Sequence, residues 1–295
     1  MTRLRADALL LITAIIWGTA FVAQKAANET MGPITFVGAR FLFSALVVLP
    51  LAWRESRQAQ KPVTRRAWFM AGVIGLCLLT GSVLQQTALL TTSVTNGGFL
   101  TALYVVMVPF TTWFLTRERI SRKVLAASAI SLLGAYLLSA HGSLQPFAFG
   151  DFLLIVSDVA WSFGISLVGL FLTHVPRAFF LSLVQYSVTA VLGLGIGLAI
   201  EPVHWAGIVA AMPAILYAGL ISGGIAFTMQ NIAQRHTPAP EAALIMSLES
   251  VFAAIAGAIF LGERLGAIAL VGCALIMAGV IVAELGPALF RKRAL

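Results

Sequence analysis

Residues 95–119 read TNGGFLTALYVVMVPFTTWFLTRER, and residues 240–264 read PEAALIMSLESVFAAIAGAIFLGER. Each is an apolar run of roughly twenty residues, the length a helix needs to cross a hydrocarbon core of about 30 Å. Each ends in a polar knot, Arg117-Glu118-Arg119 in one and Gly262-Glu263-Arg264 in the other. The two runs lie 145 residues apart, and the same register extends outward, matching Gln85 with Gln230 and Gly134 with Gly279. Trp17 and Trp161 pair at a shift of 144. A register held across several runs marks an internal repeat.

Around this pair the whole chain resolves into ten apolar spans: 7–26, 34–53, 67–87, 95–115, 122–140, 151–172, 178–199, 210–232, 240–261 and 265–285. Of its 295 residues 60% are hydrophobic and 10% charged, whereas a soluble domain carries about 25% charged residues. No water-soluble fold of this length hides so much apolar surface. The net charge of +8 does not point to nucleic acid, because the basic residues are scattered through short breaks where they meet anionic headgroups and set topology. Arg3 and Arg5 before an apolar run resemble a signal peptide, but the run holds Trp17 and no convincing cleavage site follows. It reads as an uncleaved first span. Cys77 and Cys273 fall inside apolar runs with no metal or disulfide spacing, and read as buried free thiols.

The breaks alternate in charge. With the N-terminus inside, sixteen Lys and Arg face the cytoplasm, including Arg291, Lys292 and Arg293, and only Lys25 and Arg264 face outward; Arg40 lies within a span. This positive-inside bias predicts that both termini are cytoplasmic, and hence an even number of spans. Five spans per half is an odd number, so the second half enters the membrane upside down, with Glu118 inside and its counterpart Glu263 outside. The predicted fold is an all-α integral membrane protein of ten transmembrane helices in two inverted five-helix repeats, 1–145 and 146–295. Inverted repeats are a recurring plan of secondary transporters, whose halves exchange conformations around a central site.

Particular residues also look familiar. Phe99-Leu100-Thr101-Ala102-Leu103-Tyr104 with Pro109 and Thr116-Arg117-Glu118-Arg119 resembles the fourth span of the drug/metabolite transporter superfamily. Leu248-Glu249-Ser250-Val251-Phe252-Ala253-Ala254 with Leu261-Gly262-Glu263-Arg264 resembles its ninth, and Ile16-Trp17-Gly18-Thr19 with Pro33 and Arg40 is similar to its EamA branch. The resemblance covers essentially the whole chain. It implies a cavity lined by the first four helices of each half, with helices five and ten peripheral. It also implies transport of small organic metabolites, often amino acids and often outward. Where the family often carries Pro after the ninth-span Glu, this chain has Ser250, so a weaker kink is expected there. Pro109 inside span 4 removes a backbone hydrogen bond and predicts a kink; the freed carbonyl would line the cavity or flex in gating, with a static kink as the equal alternative.

Charged groups at membrane depth cost roughly 2.5 kcal/mol or more, so each needs a role. Glu249 lies near the middle of its span with Ala253 and Ala256 on its face. It is read as binding a cargo ammonium or a proton, against the plain alternative of a structural acid. Arg40 and Asp158 enter from the same side at similar depth. An ion pair between them would close an outer gate or hold the halves in register, unless Arg40 snorkels to headgroups. Gln85 and Gln230 sit at matched positions and would present two amides to the polar end of a zwitterion; interhelical hydrogen bonding is the alternative. Trp17, Trp161 and Tyr104 are candidates for the apolar part of the cargo, the indoles through stacking or cation–π contact, with packing or the interfacial belt as the alternative for the indoles; Phe227 shares a stripe of span 8 with Gln230, and Asn96 adds a polar group along span 4. Trp53, Trp68 and Trp205 lie near span ends and fit the interfacial belt.

Other classes find less support. There is no His-Glu-x-x-His motif, no Gly-x-Ser-x-Gly turn and no phosphate loop, and His141, His174, His204 and His236 all sit in the breaks. No catalytic residue, metal or cofactor is expected. The expected partners are a small-molecule cargo, the bilayer and, in a coupled cycle, protons. The leading expectation is an exporter of amino acids, an aromatic one included. A multidrug or organic-cation efflux carrier is second, and a membrane-embedded enzyme a distant third.

Overall fold

The computed structural model describes residues 1–139, 148–262 and 264–291. Glu263, His141, Lys292, Arg293 and the expected boundary between 145 and 146 lie outside the described residues. The described residues form ten helical spans and no strand, as a bilayer demands of a chain that must satisfy its own backbone. Spans 1 to 3 are Arg3–Ala27, Pro33–Gln58 and Arg65–Ala88. Span 4 is split into Val94–Thr101 and Tyr104–Thr116, and span 5 is Arg122–Ser139. Spans 6 and 7 are Phe149–His174 and Ala178–Ile200. Span 8 runs from Trp205 to Ala233, span 9 is split into Ala239–Met246 and Glu249–Leu261, and span 10 is Ala267–Arg291. Eight of these are long and apolar enough to cross a membrane by length and composition. The protein is a multi-pass membrane protein of ten helices in two inverted repeats.

The packing follows a pseudo-twofold axis. Span 2 packs on span 7 and span 5 on span 10; span 3 meets spans 6 and 7, as span 8 meets spans 1 and 2. Polar contacts repeat the symmetry and show the inversion. At the face bearing the N-terminus, the Glu55 carboxylate accepts from the backbone N–H groups of Phe179 at 3.4 Å and Phe180 at 2.7 Å, capping span 7. At the opposite face, Glu201 accepts from Ile34 N at 2.9 Å and Thr35 N at 2.8 Å, capping span 2. Thr237 donates to Asp7 at 2.8 Å on the first face, and Thr92 donates to Asp151 at 3.2 Å on the other. A parallel repeat would put both members of each pair on one face.

Spans 4 and 9 break at matched positions. At Ala102-Leu103 the ladder shortens to three-residue bonds, Leu103 N to Leu100 O and Val105 N to Ala102 O, both 3.1 Å. At Ser247-Leu248 it does the same, with Leu248 N to Ile245 O and Ser250 N to Ser247 O, both 3.2 Å. Pro109 lies inside the helix Tyr104–Thr116, and the carbonyl freed four residues before it, Val105 O, accepts from Ser128 Oγ at 3.2 Å, which corrects the expectation that it lines the cavity. Span 9 breaks with no proline at the turn, and Ser250 takes part in it, since both its backbone N–H, at 3.2 Å, and its hydroxyl, at 2.8 Å, donate to Ser247 O. One further interruption has no counterpart: Tyr217–Phe227 of span 8 winds as a π-helix. The two thiols are free but only half-buried, which corrects the expectation of burial.

Candidate functional site

A cavity lies between the halves, and every lining residue comes from spans 1–4 or 6–9. Counting its mouth, it holds about 690 Å³ of atom-free space. The expected residues Trp17, Arg40, Gln85, Tyr104, Trp161, Phe227, Gln230 and Glu249 all line it. Asn96 and Asp158 do not. Asn96 stands half-buried in the first turn of the half-helix Val94–Thr101, where its backbone N–H donates to the Ser93 hydroxyl at 3.1 Å; its place near the end of span 4 keeps it from the central space.

One wall is aromatic. The Phe227 ring lies between the two matched indoles, with centroids 4.4 Å from Trp17 and 5.9 Å from Trp161, and with the latter stacked at 18°. Phe41 backs Phe227 at 5.8 Å. Each indole is held by its N–H: Trp17 donates to Ser222 O at 3.2 Å, and Trp161 to Gln85 Oε1 at 3.1 Å. Such fixed rings offer large apolar area at little cost in rotamer freedom. The same bonds revise the amide pair. The Gln85 oxygen is engaged by Trp161, and Gln230 donates to Gln234 at 3.0 Å, which in turn donates to Ile165 O at 3.0 Å. Both glutamines line the cavity; Gln85 also ties span 3 to span 6, and Gln230 orients Gln234, which makes the bond to span 6.

The matched breaks of spans 4 and 9 carry the polar end. Tyr104 and Glu249 each begin the second half of a broken helix, 145 residues apart, so the pseudo-twofold brings them together. The Tyr104 hydroxyl lies beside the Glu249 carboxyl, yet neither that hydroxyl nor Glu249 Oε1 has a hydrogen-bond partner of good geometry. Thr101 Oγ1, on the other side of the first break, is likewise without one. Buried polar groups left unmatched cost of the order of 1–3 kcal/mol each; a bound cationic group would remove that cost at the Glu249 carboxylate, and the two hydroxyls can donate or accept.

The expected Arg40–Asp158 ion pair is absent. Asp158 is fully buried, and neither of its oxygens has a hydrogen-bond partner. Spans 2 and 6 are not packing partners; spans 3 and 8 pack on both of them, and that arrangement keeps the two side chains apart. Gln185 and Asn231 also line the cavity and carry no expectation from the sequence. A signal for them exists: they follow Arg40 and Gln86 by the same 145 residues.

Comparison with known proteins agrees with this arrangement. The model of the EamA-like transporter family matches twice, at residues 4–140 and 148–285. An uncharacterized transporter of Archaeoglobus fulgidus is 27% identical over 292 residues, 96% of this chain and 87% of the relative. The uncharacterized transporter YwfM of Bacillus subtilis is 25% identical over 94% of this chain and 93% of its own. The uncharacterized inner membrane transporter YedA of Escherichia coli K12 is 31% identical over 51% of this chain and 48% of its own. A solved crystal structure shares the fold, with a TM-score of 0.76 at 20% identity over 100% of both chains.

Proposed function

The chain belongs to the EamA-like transporter family, and from that premise we propose that it exports small amphiphilic metabolites, amino acids first among them, by alternating access. The observation that carries this reading is the central cavity, walled on one side by Trp17, Phe227 and Trp161 and edged on another by the unmatched polar groups of Glu249, Tyr104 and Thr101. The aromatic wall suits an apolar side chain, and Glu249 suits an ammonium or a coupled proton. The halves 1–145 and 146–295 exchange roles in the cycle, so that the cavity opens to each face in turn. The excess of basic residues on the N-terminal face supports cytoplasmic termini in an inner (plasma) membrane.

The test is flux. Purified protein in proteoliposomes loaded with unlabelled amino acid is expected to accumulate the labelled form by counterflow, with saturation, and most strongly for aromatic side chains. Repeating the assay with and without a pH gradient decides whether protons drive the cycle. Three rings close to a carboxylate also favour a second reading, efflux of lipophilic cations. Competition by such cations, with no effect of amino acids, selects it.

A further inference from the structure

Arg40 has no work in the reading above. Its residue is 4% exposed, it lines the cavity, and its guanidinium is held against ring faces, 5.0 Å from the Phe41 centroid and 5.7 Å from that of Phe36. Those rings hold the guanidinium in place but accept none of its N–H groups. Its Nε has no hydrogen-bond partner, and no carboxylate among the described residues stands within ion-pair distance. The residue matched to it in the second half, Gln185, also lines the cavity, and its amide nitrogen is likewise buried without a partner. Spans 2 and 7, which carry these two donors, pack against each other along their length. Among the unmatched groups of the cavity, the two that can only donate, Arg40 Nε and Gln185 Nε2, stand on spans 2 and 7, while the Glu249 carboxylate stands on span 9 and the amide oxygens of Gln24 and Asn231 on spans 1 and 8.

A buried guanidinium without a counter-charge is unfavourable at this depth, and its planar fork is matched by a carboxylate, which it holds through two parallel bonds. We infer that Arg40, assisted by Gln185, is an anion-binding pole that receives a carboxylate of the cargo. The inference rests on the transport reading for the word cargo, but the anion site stands or falls separately. It makes the carboxylate a requirement for tight binding, which a cation carrier would not have.

The test uses the purified full-length protein and three probes with one ring: phenylalanine, its decarboxylated amine phenethylamine, and its deaminated acid 3-phenylpropionate. Binding is read by quenching of tryptophan fluorescence and, in parallel, by competition in counterflow. Wild type is expected to bind both carboxylates. Arg40→Gln should weaken both by about 10- to 100-fold, the loss of a charged hydrogen-bonded pair, and leave the amine unchanged. Arg40→Lys should recover part of the loss, and Gln185→Leu should weaken the same two probes to a smaller degree, which keeps the question open should Arg40→Gln fail to fold. Carboxylates that bind no better than the amine, or that lose nothing in either the Arg40 or the Gln185 variant, overturn the inference. Carboxylate binding that depends on Arg40 without any counterflow keeps the anion site and removes the transport reading.

Discussion

Spans 3 and 8 occupy equivalent places in the two repeats, yet one is a regular α-helix and the other is π-wound over Tyr217–Phe227. Their neighbours treat them alike. Ser44 of span 2 donates to Gly219 O at 2.8 Å, and its counterpart Thr189 of span 7 shares its one proton between Gly75 O at 3.3 Å and Gln185 O of its own helix at 2.9 Å. On its π carbonyls span 8 also takes Trp17, on Ser222 O at 3.2 Å, and Thr13, whose one proton is shared between Ala226 O at 3.2 Å and Leu9 O of its own helix at 2.9 Å. Irregular winding in a membrane needs such donors, because no water is present to satisfy a misaligned backbone. Spans 4 and 9 teach the converse. Their backbones break at the same place, and only the residue that restarts the helix differs, Tyr104 in one and Glu249 in the other. Where backbone geometry is shared it belongs to the repeat. Where backbone or chemistry diverges within the shared frame, it lies at the cavity.

The largest effect should come from forcing span 8 toward span 3. Gly223 stands where span 3 carries Leu78, and a side chain there would run into the Ser44 hydroxyl, just as one at Gly219 would meet Arg40 O at 2.7 Å. Gly223→Leu is expected to cost about 3 kcal/mol or more, above the usual range for overpacking because a polar capture is lost as well, and to leave little folded protein by size-exclusion chromatography. Gly72→Ala, whose new methyl meets nothing within 4 Å, is the control and should fold normally.

The second effect sharpens the contrast of spans 4 and 9. Glu249→Gln removes the charge but not the shape, and should cut counterflow by about tenfold or more, the equivalent of one charged contact, with an unchanged unfolding midpoint. Tyr104→Phe at the matched position should lose less. Equal losses would mean that the divergence of the two breaks carries no function.

The third compares the two caps. Glu201 accepts from Ile34 N, Thr35 N and the Thr35 hydroxyl, whereas Glu55 accepts from Phe179 N and Phe180 N. Glu201→Ala should lower stability by about 1–2 kcal/mol and Glu55→Ala by about 1 kcal/mol, as for other helix caps, read from thermal unfolding in detergent. The smallest effect is expected at the carbonyl captures. Ser44→Ala and Thr189→Ala should each cost about 0.6 kcal/mol, the usual worth of an interhelical hydrogen bond in lipid, with the shorter Ser44 bond the more costly. A larger loss at Thr189 would undo the argument that π winding is what needs the donor.

Much of this frame was legible in the sequence, because length, apolarity and charge alternation report directly on the bilayer. All ten spans lie where the apolar runs predict, and the matches of Trp17 with Trp161 and of Gln85 with Gln230 survive as cavity positions. What was not legible depends on which spans touch. Arg40 and Asp158 look like partners by depth along their own helices, but depth carries no information about the neighbours that separate them. Pro109 drew attention as the visible breaker of span 4, while the true breaks at Ala102-Leu103 and Ser247-Leu248 are written in no special residue. The π segment is equally silent, since Gly219, Gly223 and Gly224 read as close-packing residues as readily as anything else. Gln185 was within reach, for the repeat register applied to Arg40 leads straight to it.

The central claim is that one cavity, built from both halves, meets each face of the membrane in turn. The direct measurement places a single cysteine at Gln230, with Cys77 and Cys273 changed to Ser, and applies membrane-impermeant thiol reagents from either side of oriented vesicles. The account predicts labelling from both faces and protection from both by transported amino acid. Labelling from one face alone, untouched by cargo, would contradict it.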